Sequence, residues 1–428
     1  MQKGITPFSK WLLHIILSIF LFVSTAYKLF DFYDKYKAFL PSLNSKISKI
    51  RNRPPIIPIF TETNKNSVKF FQENIANEFP GLPPEHFVET DYDGNMKSAI
   101  VGLISKYSVD YIKPFFLSLA CTGYNGAVII FYRNIPNETM EFLVNVSSVY
   151  EMQLISVTSG KPYISTNLEI HRYKNRQLTV EHFPVNLSLC DYCYHHFVKN
   201  DERVEIWYCL NENHFFDEYE LLLFTDVGDV IIQNDIRNYN YSKGIYISEE
   251  ARYPIEKDPY WIYEWAPSAH LNYSKYPKLT IICVGTIMLY GRESFCFLKD
   301  LHDQIKDREH LIVNHPNYQG AIQMFVHNKT KTYPPGFLHF NTNDYGITDT
   351  VGLYRAHLQL LQEKFNIHGN LYTLQYHDQN YVLYNLDFVK FAVIHHIRYR
   401  GETIEKTLPG LYNLCLHYYP KIHQEFIQ

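Results

Sequence analysis

Asp226 and Asp229 stand three residues apart in the segment Leu221 to Asp235, LLLFTDVGDVIIQND. One apolar run ends at Phe224 and another, Val230 to Ile232, follows the second aspartate at once. Two carboxylates wedged between apolar runs are costly unless something satisfies them. A divalent cation would do so, because two hard oxygen ligands suit Mg2+ or Mn2+ and leave positions for phosphate oxygens and water. A metal-bound diphosphate is in turn a good leaving group, since the cation neutralises the charge that develops as it departs. The competing reading is a turn in which Asp226 caps a following helix and Gly228 supplies the bend. About one D-x-x-D arises by chance in a chain of this size, so the spacing alone leaves both readings open.

The elements around this pair alternate. Ala99 to Ile104, Ala127 to Phe131 (AVIIF), Met152 to Val157, Leu221 to Phe224 and Leu279 to Val284 are apolar runs of strand length. Between them, Val109 to Ala120 carries Ile112, Phe115, Phe116 and Leu119 at helical spacing, with Gly123 placed where a helix would stop, and Pro136 to Val146 also reads as a helix. Strands apolar on both faces, alternating with helices, predict an α/β fold with a mostly parallel sheet between helical layers. In such sheets ligands bind at the carboxyl ends of the strands, where Asp226 would lie.

At 428 residues and 46% hydrophobic the chain can bury a large core, and a net charge of -4 argues against a nucleic-acid partner. Trp11 to Tyr27, WLLHIILSIFLFVSTAY, holds no charged residue and has about the minimum length of a membrane-spanning helix. It predicts a signal anchor at 11–27 after a cytoplasmic tail at 1–10. A cleaved signal peptide, with Ser24-Thr25-Ala26 as its cleavage site and a secreted product, is the alternative. The basic, proline-containing stretch 28–60 reads as a stem, leaving 61–428 as a single lumenal domain. The sequons at Asn137, Asn145, Asn186, Asn240, Asn272 and Asn328 all follow the hydrophobic segment, as a lumenal domain in the Golgi or endoplasmic reticulum requires.

Set in this frame, the acidic segment resembles the D-V-R-D-V-x-x-Q motif of a group of eukaryotic GT-A-fold glycosyltransferases, type II membrane proteins. Further segments are similar to that family in the same order. Lys113 to Tyr132 (KPFFLSLACTGYNGAVIIFY) resembles its first helix and second strand, and Cys283 to Ile305 its N-x-G strand and following helix. Asn317 to Asn328 (NYQGAIQMFVHN) resembles its D-Q-G helix, and Ala392 to Arg400 (AVIHHIRYR) its closing histidine segment. The likeness spans about residues 97 to 400.

It implies a Rossmann-like GT-A domain that moves a sugar from a nucleoside diphosphate sugar to a glycan or glycoprotein acceptor. Asp226, Asp229 and His395 would hold Mn2+ or Mg2+, Gly285 would lie beside the donor, and Tyr318 and Gln319 would face the sugar. The chain departs from the family at several of these places. The Arg between the aspartates is Gly228, the Asn of N-x-G is Cys283, the Asp of D-Q-G is Tyr318, and His396-Ile397-Arg398-Tyr399 follows the histidine. Those departures leave a second expectation: a degenerate, non-catalytic member that binds glycan or a partner protein.

Cys190-Asp191-Tyr192-Cys193, followed by His195 and His196, admits a disulfide, free thiols or a zinc site. An oxidising lumen favours the disulfide, and the odd number of cysteines, 7, leaves at least one thiol free.

Overall fold

The structure is a computed structural model. It describes residues 85–91, 94–158, 163–190, 202–251, 281–306, 322–323, 326, 333–342, 346–350, 376–377, 383–385 and 389–395. The chain separates into two compact units, Met1–Pro58 and Ile59–Gln428, and every described residue belongs to the second. The expected anchor at 11–27 and stem at 28–60 lie outside the described residues, among which no helix is long and apolar enough to cross a membrane.

The first half is a strand–helix alternation: β1 (Ser98–Ser105), α1 (Val109–Cys121), β2 (Ala127–Arg133), α2 (Asn137–Val146) and β3 (Met152–Ser156). A hairpin follows, β4 (Asn167–Lys174) and β5 (Gln177–Pro184), then α3 (Glu202–Glu212) and β6 (Leu221–Thr225). Beyond the acidic pair come β7 (Val230–Ile232), β8 (Gly244–Ala251), β9 (Ile281–Tyr290), α4 (Cys296–Lys306), β10 (Leu338–Asn341), β11 (Thr348–Thr350), β12 (Tyr376–His377), β13 (Leu383–Tyr384) and β14 (Val393–His395).

A nine-stranded sheet has the order β10-β8-β9-β6-β1-β2-β3-β4-β5. Its centre, β6-β1-β2-β3, is parallel, and within the sheet only β4 and β9 run against the rest. The sheet is therefore mixed, with the predicted parallel character concentrated at its middle. Both faces of the central strands are buried, which is why those strands read as continuous apolar runs. Along β1 and β2, Val101, Ile129 and Phe131 enter one core with Trp207 of α3 and Phe297 of α4. Ile100, Val128 and Ile130 enter the other with Phe115 and Phe116 of α1 and Phe142 of α2. Each side chain so buried contributes about 1.5–3 kcal/mol of hydrophobic stabilisation. Helix α1 ends as its sequence predicts, with Gly123 at φ 75°, a conformation that costs glycine nothing.

Among the described residues two smaller sheets accompany it, β11-β14-β7 and the pair β12-β13. In the three-stranded sheet His395 lies opposite Val230 on β7 and Thr350 on β11. The Gln233 backbone and side-chain amides donate to the carbonyls of Ala392 (2.8 Å) and Phe391 (3.1 Å), fixing the approach to β14.

The C-x-x-C expectation is corrected at Cys190. Its disulfide is to Cys209 on α3, with Cα atoms 4.5 Å apart, because the short 3-10 turn Leu187–Leu189 delivers Cys190 to that helix. A partner already bound in a disulfide also removes Cys190 from any zinc site, and Cys193 lies outside the described residues. Cys283 and Cys296 form no disulfide. The described sequon asparagines, Asn137, Asn145, Asn186 and Asn240, are all exposed.

Candidate functional site

The strand order reverses at β1, whose chain neighbour β2 lies on one side and β6 on the other. The carboxyl ends of strands at such a reversal form the crevice in which open α/β sheets bind ligands. Asp226 is the first residue past β6, and its backbone N–H still donates to the Gly285 carbonyl of β9 at 2.9 Å. No helix follows it; β7 does, so the capping-turn reading of this segment is overturned. The short turn 226–229 carries the chain from the large sheet to the small one, and Asp229 immediately precedes β7.

Pairing of β7 with β14 then brings His395 to the acidic pair from the far end of the chain. Its Nε2 lies 3.4 Å from Asp226 Oδ2 and 3.5 Å from Asp229 Oδ1. One donor atom from each of the three residues falls within 4.8 Å of the others. His395 is buried, whereas the two carboxylates keep 35% and 28% of their side chains exposed, so the cluster opens to solvent on its acidic side.

Gly285 makes this convergence possible. A Cβ there would stand 2.5 Å from His395 Nε2 and 2.6 Å from Asp226 Oδ2, inside the space where the three side chains meet. Gly228 is a glycine for a different reason: a Cβ would enter the Tyr111 ring, so an arginine cannot stand there without displacing that tyrosine.

A cation nevertheless reaches the pair from elsewhere. Arg203 of α3 donates through Nη1 to Asp226 Oδ1, which turns the other oxygen, Oδ2, toward His395. The position follows from packing. Trp207 of α3 packs on Phe224 of β6, with ring centroids 4.5 Å apart. Arg203 is one helical turn before Trp207, about 6 Å along the axis, and Asp226 two strand residues past Phe224, about 6.6 Å. The two side chains therefore meet. Nothing local in the sequence signals this, because Arg203 and Asp226 are joined only through the packing of α3 on β6.

These charges set each other's protonation. Partial burial works against ionised Asp226, but Arg203 and His395 outweigh it and hold the carboxyl well below the usual carboxylate range. Burial likewise works against a charged His395, yet the Cys283 sulfur and the two carboxylates hold the imidazole well above its ordinary value. Tyr107, two residues past the end of β1, stacks at a tilt on Tyr111, ring centroids 4.5 Å apart. Burial and the nearby Asp226 push its hydroxyl up to about 12, so it remains a neutral phenol beside the acidic pair.

The expected ligand set Asp226, Asp229 and His395, together with Gly285, is thus gathered in one place. Tyr318, Gln319 and His396 lie outside the described residues. Of the helix expected to contain the first two, Ile322 and Val326 are buried in the core, and the Gln323 side chain accepts from the Ile282 amide of β9 at 2.7 Å. The sequence named Cys283 only as a departure from a motif, and missed Arg203 and Tyr107 altogether.

No protein-family model matches this chain, and no curated protein matches it. Among solved structures it is similar to two crystal structures of the glycosyltransferase GlyE from Streptococcus pneumoniae TIGR4, one of them the apo form. Both are 14% identical with a TM-score of 0.40, covering 78% of this chain and 64% and 63% of theirs. The chain thus spans less than two thirds of those proteins, and at this identity and TM-score the likeness fixes neither family nor activity.

Proposed function

We propose that the chain is a metal-dependent glycosyltransferase that moves a sugar from a nucleoside diphosphate sugar to a glycan or glycoprotein acceptor. It would work in the lumen of the Golgi or endoplasmic reticulum behind the N-terminal anchor. The observation that carries the reading is the meeting of Asp226, Asp229 and His395 at the strand-order reversal, each with a donor atom within 4.8 Å of the others. The residues fit a divalent cation. Two carboxylate oxygens and one imidazole nitrogen face a common point, and the missing side chain of Gly285 keeps that point clear.

A bound Mn2+ or Mg2+ would supply positive charge against the departing diphosphate. The chain's own residues prepare the place. Arg203 holds one oxygen of Asp226 and presents the other. Asp229 and His395 are fixed by the pairing of β7 with β14. The partly exposed carboxylates leave the approach open to a polar substrate.

The test is a panel of nucleoside diphosphate sugars with Mn2+ and the purified protein, read as nucleoside diphosphate release and as transfer. Release that requires the metal and vanishes in Asp229→Ala supports the reading. Metal-dependent nucleotide binding without release or transfer identifies the non-catalytic alternative. Absence of metal-dependent nucleotide binding overturns the enzyme reading.

A further inference from the structure

The imidazole of His395 has two nitrogens, and the cation reading uses one. Nε2 faces the carboxylates, while Nδ1 lies 3.0 Å from the sulfur of Cys283, a buried free thiol on β9. Cys283 and Gly285 lie two residues apart on that strand and share the face that meets His395, since the sulfur touches its Nδ1 and a Cβ on Gly285 would stand 2.5 Å from its Nε2. The ring of His395 lies over that face, with the gap at Gly285 under its Nε2 edge and the Cys283 sulfur against its other nitrogen. The Thr286 hydroxyl also donates toward this sulfur, at 3.8 Å. A sulfur approached by a hydroxyl donor is well placed to accept a second hydrogen bond from the imidazole.

A histidine can offer Nε2 to a cation only when its remaining proton sits on Nδ1, and the partner of Nδ1 decides that. We propose that Cys283 is the positioning residue for His395. Its sulfur accepts the Nδ1 proton, holds the ring in the plane that aims Nε2 at the acidic pair, and so makes His395 an Nε2 ligand. Cys283 belongs to the large sheet and His395 to the small one, so this contact also fixes the two halves of the site to each other. The inference rests on the reading of Asp226, Asp229 and His395 as a cation site.

The test measures Mn2+ binding to the full-length protein, by the resonance signal of the free ion and by calorimetry, with no activity needed. Wild type should bind, and Asp229→Ala should not. Cys283→Ala should weaken Mn2+ binding by about 10–100-fold, the usual effect of losing an outer-shell partner. Cys283→Ser, whose hydroxyl can accept from Nδ1, should recover most of the loss. In a His395→Ala background Cys283→Ala should change nothing further, since the residue acts through the histidine.

Unchanged binding in Cys283→Ala, or an equal loss in the His395→Ala background, overturns the positioning role and leaves the cation site standing. Wild type that does not bind Mn2+, or binds it no better than Asp229→Ala, overturns the cation site itself. If Cys283→Ala does not fold, Cys283→Ser decides: binding within a few-fold of wild type with the His395→Ala loss intact supports the role, and a loss matching His395→Ala overturns it.

Discussion

The two sheets that meet at the acidic pair are built differently. The nine-stranded sheet has a central β1 of eight residues and a β9 of ten, and its central strands are buried on both faces. The strands of the three-stranded sheet have three residues each, and its order is maintained by a few specific bonds, those of Gln233 to the β14 approach among them. The large sheet supplies Asp226, Gly285 and Cys283; the small one supplies Asp229 and His395. A rigid platform thus carries half of the candidate site and a lightly built element carries the rest. A cation held between them would stabilise mainly the weaker element.

Removing a donor from the small sheet should therefore have the largest effect. Asp229→Ala is expected to lower Mn2+ affinity by at least about 100-fold while leaving the fold intact, because the side chain is partly exposed. In wild type, saturating Mn2+ at about 100 times its dissociation constant should raise stability by about 2.7 kcal/mol. That increment should vanish in the variant. Thermal melts with and without Mn2+ read both. An Mn2+ increment that survives in Asp229→Ala would mean that Asp226 and His395 hold the ion without Asp229.

Gly285→Ala attacks the platform side. The new methyl would overlap His395 and Asp226, both held by other contacts, so a destabilisation of about 1–3 kcal/mol is expected along with loss of Mn2+ binding. Gly228→Ala should cost less, since the nearest atoms its methyl would meet all belong to the half-buried Tyr111 ring, whose shift would leave His395 and Asp226 in place. Urea titrations of the two variants compare them directly. Equal costs would show that Tyr111 is as firmly held as His395.

Much of the large sheet was legible in advance, and the reason is its burial. Strands covered on both faces become unbroken apolar runs, and α1 and α2 each lie on one face of the sheet, so their apolar residues recur at helical spacing. Helix α3 escaped notice because it is buried around most of its circumference: Glu202, Arg203 and Glu205 are as enclosed as Val204 and Ile206, and no apolar stripe results. The β4–β5 hairpin escaped because its turn, Asn175-Arg176, has positive φ at both residues, yet only the asparagine is of a type that signals such a turn. At the site, Asp226 and Asp229 announced themselves as charges between apolar runs. His395 was named only through resemblance, since its approach depends on β7 pairing with β14. The brace at Cys283 could not be read at all, because it exists only once two sheets are assembled.

The charge pattern sharpens the comparison through pH. Asp226, held below its usual range, contributes stability above about pH 4 that is lost as acid protonates it. His395, held above its ordinary value, contributes stability that is full below about pH 6.5 and lost as the pH rises through its folded value. Binding a cation at Nε2 requires that nitrogen to give up its proton. Mn2+ affinity should therefore rise with pH, by up to about tenfold per unit between about pH 6 and about pH 7, with a proton released on binding. Calorimetry in buffers of different ionisation enthalpy measures the release. A pH-independent affinity would mean that the imidazole is not a ligand.

The smallest effect should come from the far end of the large sheet. Strand β5 is its last strand, and Leu178 and Val180 there remain 50% and 45% exposed, large apolar side chains on an open edge. Neither belongs to the two cores that hold the central strands. Val180→Lys keeps the extended backbone, removes little buried surface and adds a charge of the kind that discourages edge-to-edge pairing. It should change stability by no more than about 0.5 kcal/mol and leave Mn2+ binding as in wild type. Urea titration and the Mn2+ signal test both statements on one preparation. A cost approaching that of Gly285→Ala would mean that β5 is covered in solution, by a second copy or by a segment of the same chain. The contrast between a buried platform carrying the site and a free edge remote from it would then no longer hold.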